Sequence, residues 1–274
     1  MTDHIAQPPS DTPLDPELTE KVSFGFTDVT PDEKVSKVKG VFRSVASKYD
    51  LMNDLMSAGV HRVWKTFAMD RINPQPGEVF LDVAGGTGDL SLAFLKRADQ
   101  KATRYGQHHL KTQAIVCDIN DSMMASGRER KEVLQARGEL DWVCGDAMAL
   151  PFKDRSVDAL AIAFGIRNVA DMDQAFREFR RVLKPGGRFA CLEFSHMTAG
   201  VLQSAYDAYS FNVIPKLGDL IAGDAPSYQY LVESIRRFPK QDEVLRRIEA
   251  AGFKRVDCTN FSGGIAALHF GWAV

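Results

Sequence analysis

The run Leu81-Asp82-Val83-Ala84-Gly85-Gly86-Thr87-Gly88 constrains what this chain can fold into more than any other stretch. It closes the apolar segment Glu78 to Val83 and precedes a helical pattern that begins at Asp89, so it reads as a turn from a strand into a helix. Glycines there keep side chains away from the carboxyl edge of a sheet and present backbone N–H groups, an arrangement suited to a nucleotide-like ligand. The dinucleotide pattern G-x-G-x-x-G would need glycine three residues beyond Gly88, where this chain has Ser91, so NAD is disfavoured without being excluded. No lysine stands where a P-loop would use one on phosphates. A tight turn without any ligand is the plain alternative.

Downstream of the turn, short apolar runs alternate with helical stretches. Strands are expected at Glu78 to Val83, Gln113 to Cys117, Leu140 to Cys144, Val157 to Phe164 and Gly187 to Glu193. Helices are expected near Asp89 to Lys96, Ser122 to Ala136 and Met172 to Leu183, the last stopped by Lys184-Pro185-Gly186-Gly187. This alternation predicts an α/β fold, a Rossmann-like, mostly parallel sheet with helices on both faces. A helix near Asp242 to Ala251 and strands near Lys254 to Thr259 and Ile265 to Trp272 complete it with an antiparallel edge. The polar stretch Asp99 to Thr112 reads as a surface loop insertion. Before the sheet, Val35, Val38, Val41, Phe42 and Val45 repeat with a helical period over Lys34 to Lys48, and a second helix covers Leu55 to Ile72. Residues 1–33 read as a disordered or extended tail and 34–274 as one domain.

Two further strand ends carry acids. Asp118 closes the strand after the glycine turn, where a carboxylate can accept hydrogen bonds from both hydroxyls of a ribose. Its distance from Asp82 exceeds the roughly 20 residues of a compact unit, an excess assigned to the insertion. Gly145-Asp146-Ala147 closes the next strand, where a carboxylate and a backbone N–H suit the amine and a ring nitrogen of an adenine. Any one of these acids alone is more often a solvated cap; three in order beside a glycine turn make a site.

Composition removes several classes. Lys plus Arg number 34 against 36 Asp plus Glu and are scattered, which leaves no footprint for nucleic acid. Cys117, Cys144, Cys191 and Cys258 form no C-x-x-C pair, so neither a metal site nor a disulfide framework is expected, and three of them read as buried thiols on strands. The proline-rich, acidic first residues resemble neither a secretory signal nor a transit peptide. The uncharged run Cys258 to Val274 carries three glycines, Asn260 and His269 and would span a membrane poorly. A soluble, cytoplasmic protein is expected.

Tyr49 to Trp64, reading Tyr-Asp-Leu-Met-Asn-Asp-Leu-Met-Ser-Ala-Gly-Val-His-Arg-Val-Trp, and Arg181-Val182-Leu183-Lys184-Pro185-Gly186-Gly187-Arg188-Phe189 leading to Leu192-Glu193-Phe194-Ser195, resemble the two signatures of the UbiE family of quinone C-methyltransferases. Phe164-Gly165-Ile166-Arg167-Asn168-Val169 and Ser227 to Ile235 are similar to it as well, so the resemblance runs from about Val41 to the end. It implies a class I methyltransferase fold, S-adenosylmethionine as donor, and methylation of a ring carbon on a polyprenylated benzoquinol or demethylmenaquinol. The donor-binding positions it implies are Thr87, Asp118 and the pair Asp146 and Ala147, which join Asp82, Gly86 and Gly88 of the glycine turn as the expected cofactor-binding residues. Bacterial members often carry serine before Phe-Gly-x-Arg-Asn; here Ala163, as in mitochondrial-type members, offers no hydroxyl. Residues 34–72 and 198–240 would cover the acceptor side. Partners implied are the quinol substrate, a transient contact with a membrane surface at the inner membrane, and a homodimer or quinone-synthesis assembly.

A quinol carbon becomes a good nucleophile only as a ring hydroxyl ionises. Arg167 and Asn168 follow a strand at the ligand edge, and Arg167 is expected to stabilise the developing oxyanion or order a basic water, with Tyr49 as partner. Against this stands a structural arginine paired with an acid such as Asp171. His61, Glu193 and His196 admit both an acceptor-site and a packing role, and Tyr206, Tyr209, Phe211, Tyr228, Tyr230 and Phe238 admit both a lid and ordinary core. A methyltransferase of another lipophilic molecule, a donor-binding scaffold subunit and an NAD oxidoreductase remain the competing functions.

Overall fold

The computed structural model describes residues 21–45, 54, 57, 59–198 and 225–274. Near-continuous apolar runs form the central strands β3 (Val79–Val83) and β6 (Val157–Ala163), as expected of strands covered on both faces. Around them lie β4 (Gln113–Asp118), β5 (Glu139–Cys144), β7 (Leu183–Phe194), β8 (Lys254–Phe261) and β9 (Ala266–Ala273), in the order β5-β4-β3-β6-β7-β9-β8. Pairing is parallel from β5 through β7, while β9 runs antiparallel to both β7 and β8. The antiparallel strand therefore lies one place in from the edge. Because β3 sits at the middle of the parallel set, its carboxyl end opens between β4 and β6.

Helices close both faces. On one, α2 (His61–Ile72) and α3 (Asp89–Tyr105) bring Trp64, Met69, Ile72, Phe94 and Leu95 against Phe80, and α7 (Ala225–Arg237) adds Tyr228, Leu231 and Ile235. On the other, α6 (Met172–Val182) and α8 (Gln241–Ala250) pack Phe176, Phe179, Val244 and Ile248 on Phe189 and Leu160. The buried positions Ala175, Phe176, Phe179 and Val182 repeat at helical spacing, which is why α6 presents one apolar stripe to the sheet. Helix α4 (Asp121–Arg128), capped by the Asn120 side chain, and α5 (Lys131–Leu134) lie between β4 and β5.

Several expectations are corrected. The insertion at Asp99 to Thr112 is half helix: α3 runs on to Tyr105, stopped by Gly106 at φ 67°. Its inward face beyond Lys96 is only Ala98 and Ala102, small residues among polar neighbours that hide the periodicity. The single helix Ser122 to Ala136 breaks into α4 and α5. Strand β7 reaches back through Lys184-Pro185-Gly186-Gly187 to Leu183, which pairs with Val157 before the register jumps to Arg188 opposite Ala159. The tail ends well before residue 33. β1 (Val22–Phe24) and β2 (Thr27–Val29) form a hairpin that leads into α1 (Pro31–Val45), with Phe24 stacked on Tyr230 at 4.2 Å. Cys144 is exposed, because β5 is an edge strand, whereas Cys117 and Cys191 are buried. Among the described residues no helix is long and apolar enough to cross a membrane.

Phe80 and Phe94 stack at 4.5 Å with both rings fully buried, joining the sheet to α3 directly behind the glycine turn. Phe80→Ala is expected to destabilise the protein by about 3–5 kcal/mol, read from the midpoint and slope of urea unfolding.

Candidate active site

The chain leaves β3 through left-handed backbone at Ala84 (φ 51°), Gly86 (φ 55°) and Gly88 (φ 81°) before α3 begins at Asp89. Three such residues within five turn the chain back over the end of the sheet, with the Gly85 N–H donating to Cys117 O at 3.4 Å, the Gly86 N–H to Asp118 and the Gly88 N–H to Gly85 O at 2.8 Å. From the neighbouring strand, β6, Phe164 and Gly165 approach so closely that a Cβ on Gly165 would lie 2.6 Å from that of Ala84. The glycine of Phe-Gly-Ile-Arg-Asn is thus required by the contact between two loops. Together these loops, the ends of β4 and β5 and the face of α1 carrying Val35, Val38, Lys39 and Phe42 line one cleft.

Three strand-end carboxylates enter it. Asp82 is buried, and its Oδ2 accepts both the N–H and the hydroxyl of Ser91 at 3.1 Å, clamping the end of β3 to the first turn of α3. Burial pushes its carboxyl up to about 7, against the pull of the Ser91 bonds and of Lys65. Asp118 accepts Gly86 N–H at 2.9 Å on Oδ2 and Asn120 N–H at 2.8 Å on Oδ1; burial raises its carboxyl above the ordinary range while those N–H groups oppose the rise. Asp146 receives Met148 N–H on Oδ1 at 2.8 Å. Gly86, Thr87, Ala147 and Asn168 line the same cleft, so the structure gathers most of the expected donor positions in one place. Gly88 stands behind it, where a Cβ would meet Trp142 at 3.0 Å.

Cations are fewer. Lys65 of α2 reaches Asp89 at 2.8 Å, and Arg130 bonds Asp89 and the Thr87 hydroxyl, the latter at 3.3 Å. Burial works against charge on Asp89, yet Lys65 and Arg130 outweigh it and hold this carboxyl well below the usual range. Four carboxyl groups, those of Asp82, Asp89, Asp118 and Asp146, line the cleft against the two ammonium groups of Lys39 and Lys65, an excess of acid that favours a cationic ligand. The amide Nδ2 of Asn120, on the cleft wall, is buried and has no partner among the described residues. An acidic cleft with a glycine cradle, two strand-end acceptors and a spare buried donor fits S-adenosylmethionine, a sulfonium joined to a nucleoside and an amino acid.

The expected catalytic residues are placed differently from one another. Arg167 does not line this cleft. Its side chain is buried, with Nη1 2.5 Å from Glu193 Oε1 and 2.8 Å from Phe164 O, so its acid is Glu193 of β7 rather than Asp171, which lies 4.0 Å from Arg177. Its guanidinium is thus bound beneath the turn Ile166–Asn168 and away from the cleft lining. Burial pushes the Glu193 carboxyl up, opposed by Arg167 and by the N–H groups of Phe194 and Arg167. Asn168, on the turn Ile166–Asn168, does line the cleft, and Tyr230 donates to its Oδ1 at 2.9 Å. Tyr49, the residues around it and Tyr206, Tyr209 and Phe211 lie outside the described residues. His61 is buried and bonded to Ser57 at 3.1 Å, and His196 Nε2 meets Phe238 O at 2.5 Å; neither lines this cleft.

Sequence reasoning missed three residues. Lys34, buried on α1, donates to Val169 O at 2.9 Å and Arg167 O at 3.4 Å; burial lowers its ammonium to about 8. Lys65 and Asn120 were missed as well. The signals that mark them are positional: Lys65 directly follows the segment Tyr49 to Trp64, and Asn120 stands two residues beyond the strand-end Asp118.

A model described as the ubiE/COQ5 methyltransferase family matches residues 29–273. A ubiquinone/menaquinone biosynthesis C-methyltransferase UbiE from Ruegeria sp. (strain TM1040) is 53% identical over 261 residues, covering 94% of this chain and 100% of that protein. One of the same name from Caulobacter vibrioides (strain NA1000 / CB15N) is 54% identical, covering 92% and 98%. Among solved structures, a SAM-dependent methyltransferase from Aquifex aeolicus aligns at TM-score 0.53 and 16% identity over 90% of this chain and 100% of that one. The [4+2]-cyclase SpnF aligns at TM-score 0.54 and 18% identity over 77% and 79%. At such identities these two show the fold alone.

Two predictions follow from the carboxylates. Because Asp82 binds its proton more tightly folded than unfolded, its contribution to stability is fully present below about pH 4 and is lost as pH rises toward about 7. Asp82→Asn keeps an acceptor for Ser91 and cannot ionise. The melting temperature of the native protein relative to that of the variant, without donor, is expected to fall across this window; a constant difference would contradict the assignment. Arg167→Ala strands a buried Glu193 carboxylate and should cost about 3–5 kcal/mol, whereas Arg167→Ala combined with Glu193→Gln should recover part of that loss in chemical denaturation.

Proposed function

This chain belongs to the ubiE/COQ5 methyltransferase family and is an S-adenosylmethionine-dependent C-methyltransferase, and from that premise we propose that it methylates a polyprenylated benzoquinol of the 2-methoxy-6-polyprenyl-1,4-benzoquinol type, demethylmenaquinol, or both. The observation that carries the reading is near-full-length identity above one half to relatives whose names specify ubiquinone/menaquinone biosynthesis. An apolar flank of Val35, Val38, Phe42 and Phe164 beside the polar glycine turn supports it, since a quinol with an isoprenoid tail needs both.

When bound, S-adenosylmethionine supplies an electrophilic methyl group on a sulfonium. The chain's part is alignment and exclusion of water. Asp118, tied to the turn through Gly86, would take the ribose hydroxyls, and Asp146 with the Ala147 N–H the adenine edge. Lys65 and Thr87 stand on the lining where an amino-acid carboxylate needs a cation and a hydroxyl. Asn168 reaches the cleft from the other loop and would meet the ring oxygen that carries negative charge once its hydroxyl ionises, charge that then flows through the ring into the new carbon–methyl bond. The ring proton on the methylated carbon then leaves, restoring the aromatic ring and its hydroxyl, so that one proton net passes to water for each methyl transferred. Arg167 and Glu193 act beneath, holding the turn that carries Asn168.

A polyprenyl acceptor resides in a bilayer, so the reaction belongs at a membrane surface, with transient contact rather than a span. Val60, Val63 and Phe67, exposed along one side of α2, suit that contact.

Quinone profiling by mass spectrometry in cells lacking this protein tests the acceptor. A demethylated benzoquinone or naphthoquinone is expected to accumulate and to disappear on re-expression; an unchanged quinone pool would overturn the reading. In purified protein, a quinol analogue without its isoprenoid tail should show KM raised at least tenfold with kcat little changed.

A further inference from the structure

Asn168 brings a two-ended group to the cleft. Its carboxamide can offer a donor, the NH2, or an acceptor, the carbonyl oxygen, and exchanging them needs only a half-turn about one bond. For an acceptor ring whose oxygen gains negative charge the two ends are opposite in effect, so something must choose between them.

We propose that Tyr230 makes this choice: it is a positioning residue whose hydroxyl, donating to Asn168 Oδ1 at 2.9 Å, turns the amide so that its NH2 faces the acceptor. This rests on the reading of Asn168 as an acceptor-side group. Tyr230 lies on α7, none of whose described residues lines the cleft, so it acts through Asn168.

The geometry supports a fixed polarity. Tyr230 is 6% exposed, and burial pushes its phenol up to about 12, so the hydroxyl keeps its proton throughout the working range. In the reverse orientation the NH2 would donate to the phenol oxygen, and the phenol proton would face the same NH2 with its acceptor gone. Leaving a buried donor unmade costs about 1–3 kcal/mol, enough to favour one orientation decisively. Arg167 and Glu193 are the charged groups that bear on the phenol, and they act in opposite directions.

Both partners of the bond are themselves held. Phe24 of the N-terminal hairpin stacks on the Tyr230 ring with planes 18° apart. One turn along α7, Glu233 accepts Phe26 N–H at 3.1 Å and Gln229 Nε2 at 2.8 Å, tying the hairpin to the helix. On the other side, Lys34 grips the carbonyls that flank Asn168, those of Arg167 and Val169. Residues before the sheet thus set the orientation of an amide at the far edge of the cleft.

A double-variant cycle tests the inference. Tyr230→Phe keeps the ring, its stacking and its burial and removes only the hydroxyl. Its kcat for methyl transfer to a quinol is expected to fall about tenfold, while donor Kd by calorimetry stays as in the native protein. Asn168→Ala should lose at least as much, and the double variant should be no slower than Asn168→Ala alone, since the hydroxyl has nothing left to orient. Native turnover by Tyr230→Phe beside a slow Asn168→Ala would overturn the proposal, as would a full tenfold loss on adding Tyr230→Phe to Asn168→Ala. Native turnover by Asn168→Ala would overturn the reading of Asn168 itself, a result distinct from both.

Discussion

Two carboxylates buried on neighbouring strands, Asp82 and Asp118, hold the glycine turn and the helix it leads into, Asp118 through Gly86 and Asp82 through Ser91 of α3, and the rest of the site is arranged around that fact. Burying charge is costly unless every oxygen is engaged. Asp118 meets this with one N–H on each oxygen, from Gly86 and Asn120, whereas both bonds from Ser91 fall on Oδ2 of Asp82, whose carboxyl burial pushes up to about 7. The bonds fix the glycine turn from below and from the side, so it keeps its shape without a ligand. They also leave an acidic field, and a cationic sulfonium is the kind of group that field attracts. Ser91, which spoils the dinucleotide pattern, is therefore a working part of this turn.

The acceptor side depends on a different buried charge. The Arg167–Glu193 pair lies under the turn Ile166–Asn168 and fastens it to β7. Glu193 also accepts the Arg167 N–H, at 3.3 Å, so side chain and backbone of one residue answer to the same acid. Gly165 lets this turn touch the glycine turn. Donor and acceptor sides are thereby set within one rigid contact at the ends of β3 and β6, where strand register rather than loop conformation determines their spacing.

The sequence made much of this legible, and the reasons differ by residue. Asp118 and Asp146 were readable because a strand-end position is fixed by alternation and apolar run length. The pairing of Arg167 with Glu193 was not, because it depends on the register of β6 against β7, which no local pattern states. Helix α3 was cut short because an alanine stripe carries little hydrophobic signal. The hairpin Val22–Val29 was read as tail because three-residue strands form no period, and they are held by contacts with α7 distant in sequence. Cys144 was expected inside because its run is apolar, and only the strand order places it on an edge. The quinol acceptor came from whole-chain resemblance, since a donor cleft of this kind serves many acceptors.

The most direct test of the account is methyl transfer from S-adenosylmethionine carrying a deuterated methyl group to a tail-bearing demethylated quinol by the purified protein, with the product examined by tandem mass spectrometry. The account predicts one labelled methyl group on a ring carbon, in equal amount to S-adenosylhomocysteine released. Label on a ring oxygen, or donor binding without label transfer to any quinol, would contradict it.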